Sequence, residues 1–298
     1  MAGAKRTRQS AQAEITSQLA LLTDLAGDRA ALRATAIELV RGSRHLEVVR
    51  AALDVLQKME DPANRAVLHE AYDRAGEKND AGGFIRAAIV RALQPIVGIE
   101  DRALLLRALT TYQTQGMYEI CADLRTAALI AMNDLDPETA ALFAARFLND
   151  PGNSFAGQPG LTAIRLLAAQ QRLEPLFALA SWNMGPPELI GETLRNLVDL
   201  PAELVDLLIR SEHYRSTEDE QILLGLYDLL LAHKDRARWH GQVLDFMRTT
   251  DLMDLYGIIA MQIVASRDGD LIAGLRELER DEPNRRKAEL LQLALQHA

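Results

Sequence analysis

Cysteine is almost missing from this sequence: Cys121 is the only one in 298 residues. No internal disulfide can staple the fold, and no cysteine-built metal knuckle can form. Around Cys121 no group is placed to stabilise a thiolate, so an inert thiol in a helical, apolar setting is expected. Aromatic residues make up 5% of the chain, leaving the core to aliphatic side chains and alanine. Glycine (18) and proline (10) are sparse, which permits helices with few interruptions. The most apolar run, 252–265, is broken by Asp254 and Gln262 and is too short to span a bilayer. An N-terminal apolar segment with a small-residue cleavage site is also absent. Together these absences give the expectation of a soluble, cytoplasmic protein with no membrane partner.

Positive charge is in short supply. Lysine and arginine number 33 against 42 acids, for a net charge of −9. Long-range repulsion then opposes nucleic acid and anionic membranes. The one acid-free basic cluster, Lys5, Arg6 and Arg8, falls in residues 1–13, which read as a disordered basic tail.

Catalytic signatures are missing too. There is no Gly-x-Gly-x-x-Gly, no phosphate loop and no nucleophile elbow. Gly82-Gly83 is a loop-to-helix turn without the strand a phosphate cradle needs. His233 and His240, seven apart on a helix, would sit about 10 Å from each other, too far to share one ion. His45, His69, His213 and His297 have no ligand partner at a useful spacing. Acid runs such as Glu218-Asp219-Glu220 and Asp281-Glu282 fall at helix starts, where the helix dipole accounts for them. No catalytic residue, cofactor or metal ligand is assigned.

What is present is repetition. Val49-Arg50-Ala51-Ala52-Leu53, Ile85-Arg86-Ala87-Ala88-Ile89 and Leu124-Arg125-Thr126-Ala127-Ala128 place their arginines 36 and then 39 residues apart. Self-similarity at this period marks stacked supersecondary units. Each phrase continues at helical spacing as a bulky-then-small face, such as Leu124, Ala127, Ala128 and Ala131. Small residues there let a neighbouring helix approach closely. Asp61-Pro62 and Asp136-Pro137 each follow a motif arginine with the proline at an offset of 12, and each opens a partner helix. Weaker copies begin at Leu161, Ile190, Ile222 and Leu255, giving about seven helix pairs. No segment alternates apolar and polar residues, so no sheet is expected. The turn-rich stretch 149–160, with Phe155 within it, is the one long loop and the place where an array would bend.

The three Val/Ile/Leu-Arg-x-Ala phrases resemble the second helix of HEAT repeats, in the wider armadillo-type group. The resemblance covers residues 44–150 and is architectural beyond them. One departure is that the family places its Asp-Pro before this helix, whereas here it follows. The resemblance implies an all-α fold: a right-handed α-solenoid, HEAT-like or ARM-type, of about seven antiparallel helix pairs. Residues 14–298 would form that single domain. It also implies that Arg50, Arg86 and Arg125 act as structural inter-repeat struts.

Repeat arrays usually bind rather than transform, so the leading expectation is a non-enzymatic scaffold holding a protein or peptide partner. Large aromatics dominate interface energy, which nominates Phe155, Trp182 with its neighbour Asn183, and Trp239 as partner-binding residues. Two readings stay open beside it. One is a lyase-like or chaperone-like protein resembling bilin lyases and acting on a small ligand or modified protein. The other, a HEAT-like DNA glycosylase, is disfavoured by the acidic charge.

Overall fold

The computed structural model describes residues 2–297, without the side chains of residues 2–10, 77, 155 and 156. The chain divides into two compact units, Met1–Ala163 and Ile164–Ala298. Both are helical, and no helix among the described residues is long and apolar enough to cross a membrane.

The first unit runs α1 (Ala2–Asp24), α2 (Arg29–Gly42), α3 (Leu46–Met59), α4 (Arg65–Asn79), α5 (Phe84–Leu93) and α6 (Arg102–Leu109). It continues through β1 (Thr114–Gln115) and β2 (Tyr118–Glu119) to α7 (Ala122–Leu135), α8 (Pro137–Phe147) and the single turn α9 (Asn153–Ala156). Thus α1 covers most of the segment read as a tail, and the side chains of Lys5, Arg6 and Arg8 lie outside the described residues. The three motif phrases sit on α3, α5 and α7, and these helices pack one on the next. Their shared face is the core: Ala52, Leu53 and Leu56, then Ile89 and Ala92, then Leu124, Ala128 and Ala131 are all at most 2% exposed. Each such leucine or isoleucine contributes about 1.5–3 kcal/mol over leaving it in water.

Aspartates start the partner helices as their spacing predicts. Asp61 accepts the Ala63 N–H, and Asp136 accepts the Thr139 N–H at 3.1 Å. These aspartates, and Asp101 just before α6, receive arginines from the preceding partner helix. Arg33 reaches Asp61 and Asn64, Arg65 reaches Asp101, and Arg102 reaches Asp136, with hydrogen-bonded partners 31 to 36 residues along the chain. Asp101 is fully buried and also accepts from the Gly98 N–H, with His69 Nε2 at 2.6 Å. These arginines link α2 to the start of α4, α4 to the start of α6, and α6 to the start of α8.

The motif arginines behave differently. Arg50 is exposed and, among the described residues, its side chain makes no hydrogen bond or ion pair, so it supplies no strut. Arg86 turns back to Asp80 and Arg125 to Glu119, each six residues upstream. The position six residues before Arg50 holds Arg44, which removes the corresponding acid.

α10 (Gly160–Ala169) carries the chain into the second unit, which contains α11 (Leu173–Trp182), α12 (Pro187–Arg195), α13 (Ala202–Arg210) and α14 (Glu212–Ser216). There follow α15 (Glu220–Ala232), α16 (His240–Thr249), α17 (Met253–Ala265), α18 (Gly269–Asp281) and α19 (Arg285–Leu295). Helices α12, α15, α17 and α19 again pack in succession. The closest crossing is between α12 and α15. A Cβ at Gly225 would lie 2.2 Å from the Gly191 carbonyl oxygen, and one at Gly191 would lie 2.3 Å from that of Gln221. Backbone meets backbone there, and only glycine fits on either side. Gly225→Ala is therefore expected to lower stability by about 1–3 kcal/mol or more through overpacking, read as a reduced urea midpoint. An unchanged midpoint would contradict this crossing.

Candidate functional site

The chain between α6 and α7 makes a small antiparallel hairpin where no strand was expected. Thr114 pairs with Glu119 and Gln115 with Tyr118, turning through Gly116 at φ 62°, a conformation that favours glycine. Two residues per strand in a polar segment are too few to show alternation, so the pattern left no trace of it. Met117 at the tip is 93% exposed and Tyr118 is 59% exposed.

Buried beside the hairpin is a charged cluster centred on Arg125. Its Nη2 donates to Glu119 Oε2 at 2.6 Å and to Asp150 Oδ1 at 2.6 Å. Its Nε donates to Asp150 Oδ2 at 3.0 Å, and its Nη1 to the Thr111 carbonyl at 2.9 Å. The Tyr112 ring lies 4.0 Å from the guanidinium, and its hydroxyl donates to Asp150 Oδ2. The second oxygen of Glu119 accepts the N–H groups of Gln113 and Cys121, and Asp150 Oδ1 accepts that of Gly152. Side chains of Arg125 and Asp150 are wholly buried and that of Glu119 nearly so. Charges so placed are tolerated only because each is paired and hydrogen-bonded.

Electrostatics follow from that geometry. Burial raises the Glu119 carboxyl, but the Arg125 and backbone hydrogen bonds outweigh it and hold the group below the usual range. Burial, with the Glu119 charge, pushes the Cys121 thiol up to about 11, which keeps it protonated and unreactive at neutral pH.

Hairpin, α7 and the loop before α9 enclose a cleft of about 870 Å³. Phe84 from the start of α5, Tyr118, Ile120, Ala122 and Thr126 form its walls, with Gln115, Gly152 and Gln158 completing it. Phe84 is 48% exposed. Gly152 lets the loop press against α7, since a Cβ there would come within 2.9 Å of Ala122 Cβ and of the Gln158 carbonyl. The two carboxylates at the cleft are engaged, Glu119 by Arg125 and Asp123 by Arg91. A single sequence signal pointed here, the run of turn formers at 149–160.

The expected partner-binding residues fall in different places. The Phe155 side chain lies outside the described residues. Trp182 ends α11 and is 65% exposed, beside the 74%-exposed Met184. Asn183 adopts φ 49° and caps α11 through its N–H to the Leu179 carbonyl, a structural role. Trp239 is corrected to a core residue: it is 3% exposed, donates to Asp206 Oδ1 at 2.9 Å and packs edge-on against His233. A second apolar groove, between α17 and α19, exposes Ile258, Met261 and Leu293.

Histidines are accounted for locally. His233 is buried, its Nε2 at 2.8 Å from the Leu200 carbonyl and its Nδ1 accepting the Asp235 N–H. His240, Asp268 and Asp270 bring ligand atoms within 4.8 Å of one another. Asp268, however, already accepts Arg236 Nε and caps α18 through the Asp270 and Leu271 N–H groups. A guanidinium and a helix N-terminus occupy that carboxylate, so no cation is assigned to it.

No protein-family model matches the chain, and none of the curated proteins is similar to it.

A carboxyl whose folded pKa is depressed stabilises the fold above its unfolded value, and that contribution is lost as pH falls through the folded one. Wild-type stability should therefore fall more steeply below about pH 5 than that of Glu119→Gln, which lacks this proton. Denaturation midpoints across the acid range check this, and parallel slopes would contradict it.

Proposed function

We propose that this protein is a non-enzymatic binding scaffold, a HEAT-like right-handed α-solenoid that holds a protein or peptide partner in its grooves and inter-repeat loops. Support for the repeat architecture comes from the motif helices packing in succession within each unit. Support for binding comes from one observation above others: the first-unit cleft has apolar walls, and both carboxylates among its described lining residues are paired with arginines. Its size lies within the range of ligand sites, and its lining includes the exposed Phe84 and Tyr118. An apolar recess edged by exposed aromatic side chains suits large side chains of a peptide, the residues that carry most interface energy. An enzyme would need convergent acids or bases in that recess.

Capture of partners on the immobilised wild type, followed by titration of the captured peptide against purified variants, tests the reading. Tyr118→Ala and Phe84→Ala are expected to weaken binding by about tenfold or more each, with Trp182→Ala as the comparison in the second unit. Equal affinities for the wild type and both cleft variants would remove the cleft as the site.

A further inference from the structure

A basic cavity stands out in the second unit of this acidic chain. Arg210, Arg215 and Arg238 line one cavity of about 420 Å³ together with Asp206, Trp239 and Gln242. They come from three places: the end of α13, the short helix α14, and the turn that precedes α16. Asp206 is the only acid in the lining, in a protein whose net charge is −9.

Asp206 arranges the cavity without neutralising it. One oxygen accepts the Trp239 indole N–H, and the other accepts Arg238 with Arg210 Nη2 at 3.7 Å. Burial raises its carboxyl, but the Trp239 and Arg238 hydrogen bonds outweigh this and keep it below the usual range. It therefore stays ionised at neutral pH and holds Arg238 in place. Glu203 adds a distant contact, 4.0 Å from Arg238. Arg215 is exposed and, among the described residues, its guanidinium makes no hydrogen bond or ion pair. Three guanidiniums against these two carboxylates leave positive charge and N–H donors unspent.

We infer that this cavity binds a phosphoryl group carried by a small molecule. A phosphoryl group offers close to two negative charges and three acceptor oxygens, so several guanidiniums can each meet an oxygen. A single carboxylate offers one charge and two oxygens, which one arginine already saturates. The volume exceeds that of a lone phosphate and falls at the small end of ligand sites, which makes pyrophosphate the simplest probe.

Calorimetric titration of the full chain with pyrophosphate at low ionic strength tests the inference, with citrate as the polycarboxylate arm. Arg210 is 77% exposed and Arg215 is exposed, so the R210A/R215A variant should melt as the wild type does without ligand. Should it melt lower, Arg215→Gln carries the same comparison. The expected result is pyrophosphate binding that weakens with salt, is about tenfold or more weaker in the variant, and is tighter than citrate. No heat with the wild type, equal affinity in the variant, or citrate binding as tightly as pyrophosphate would each overturn it.

Discussion

Arg125 carries a full positive charge into a place that water does not reach, and the local structure follows from answering it. Burying an ion costs several kcal/mol unless its donors are met. The four donor contacts of Arg125 are met by three separate segments: the Thr111 carbonyl, the Glu119 carboxylate and the Asp150 carboxylate. Those segments are the turn after α6, the hairpin's second strand and the loop after α8. Each therefore has a fixed place against α7. The hairpin and the loop after α8 line the cleft together with α7 and Phe84 of α5, so pairing the charge holds two of its walls in place.

Elsewhere the fold rests on close helix approach and on helix starts. Alanines on α3, α5 and α7, and the Gly191–Gly225 contact of α12 with α15, let backbones come together where larger side chains would hold them apart. Aspartates at the partner-helix starts then serve twice, as caps and as acceptors for an arginine of the preceding partner helix. Each half-exposed pair is worth little by itself. Asp101 is the exception, being fully buried and held by Arg65, His69 and the Gly98 N–H. Breaking it would leave a charge without water.

The helices with a recurring small-residue face were legible in the sequence because burial imposes that face directly. Caps at Asp61 and Asp136 were legible for a similar reason, since one residue type at one spacing does the work. The role of the motif arginines was not. A spacing argument groups Arg50 with Arg86 and Arg125, but what each does depends on the residue six positions before it: Arg44, Asp80 or Glu119. That upstream acid was a readable signal. The hairpin was beyond pattern reasoning, because its register comes from Glu119 reaching Arg125 and not from any alternation. Trp239 was misplaced because its polar tip finds Asp206 from a distant helix, 33 residues earlier.

Both candidate sites share one logic, a buried ionised group whose partners hold something more exposed. Arg125 holds two walls of an apolar recess, and Asp206 holds Arg238 at the basic cavity. The dependence is most directly measured by amide hydrogen exchange on the wild type and Arg125→Met, residue by residue. If the charge holds the walls, the amides of Gln113, Cys121 and Gly152 lose protection together while those within α3 keep theirs. Protection unchanged at those three amides would contradict the dependence of the cleft on Arg125.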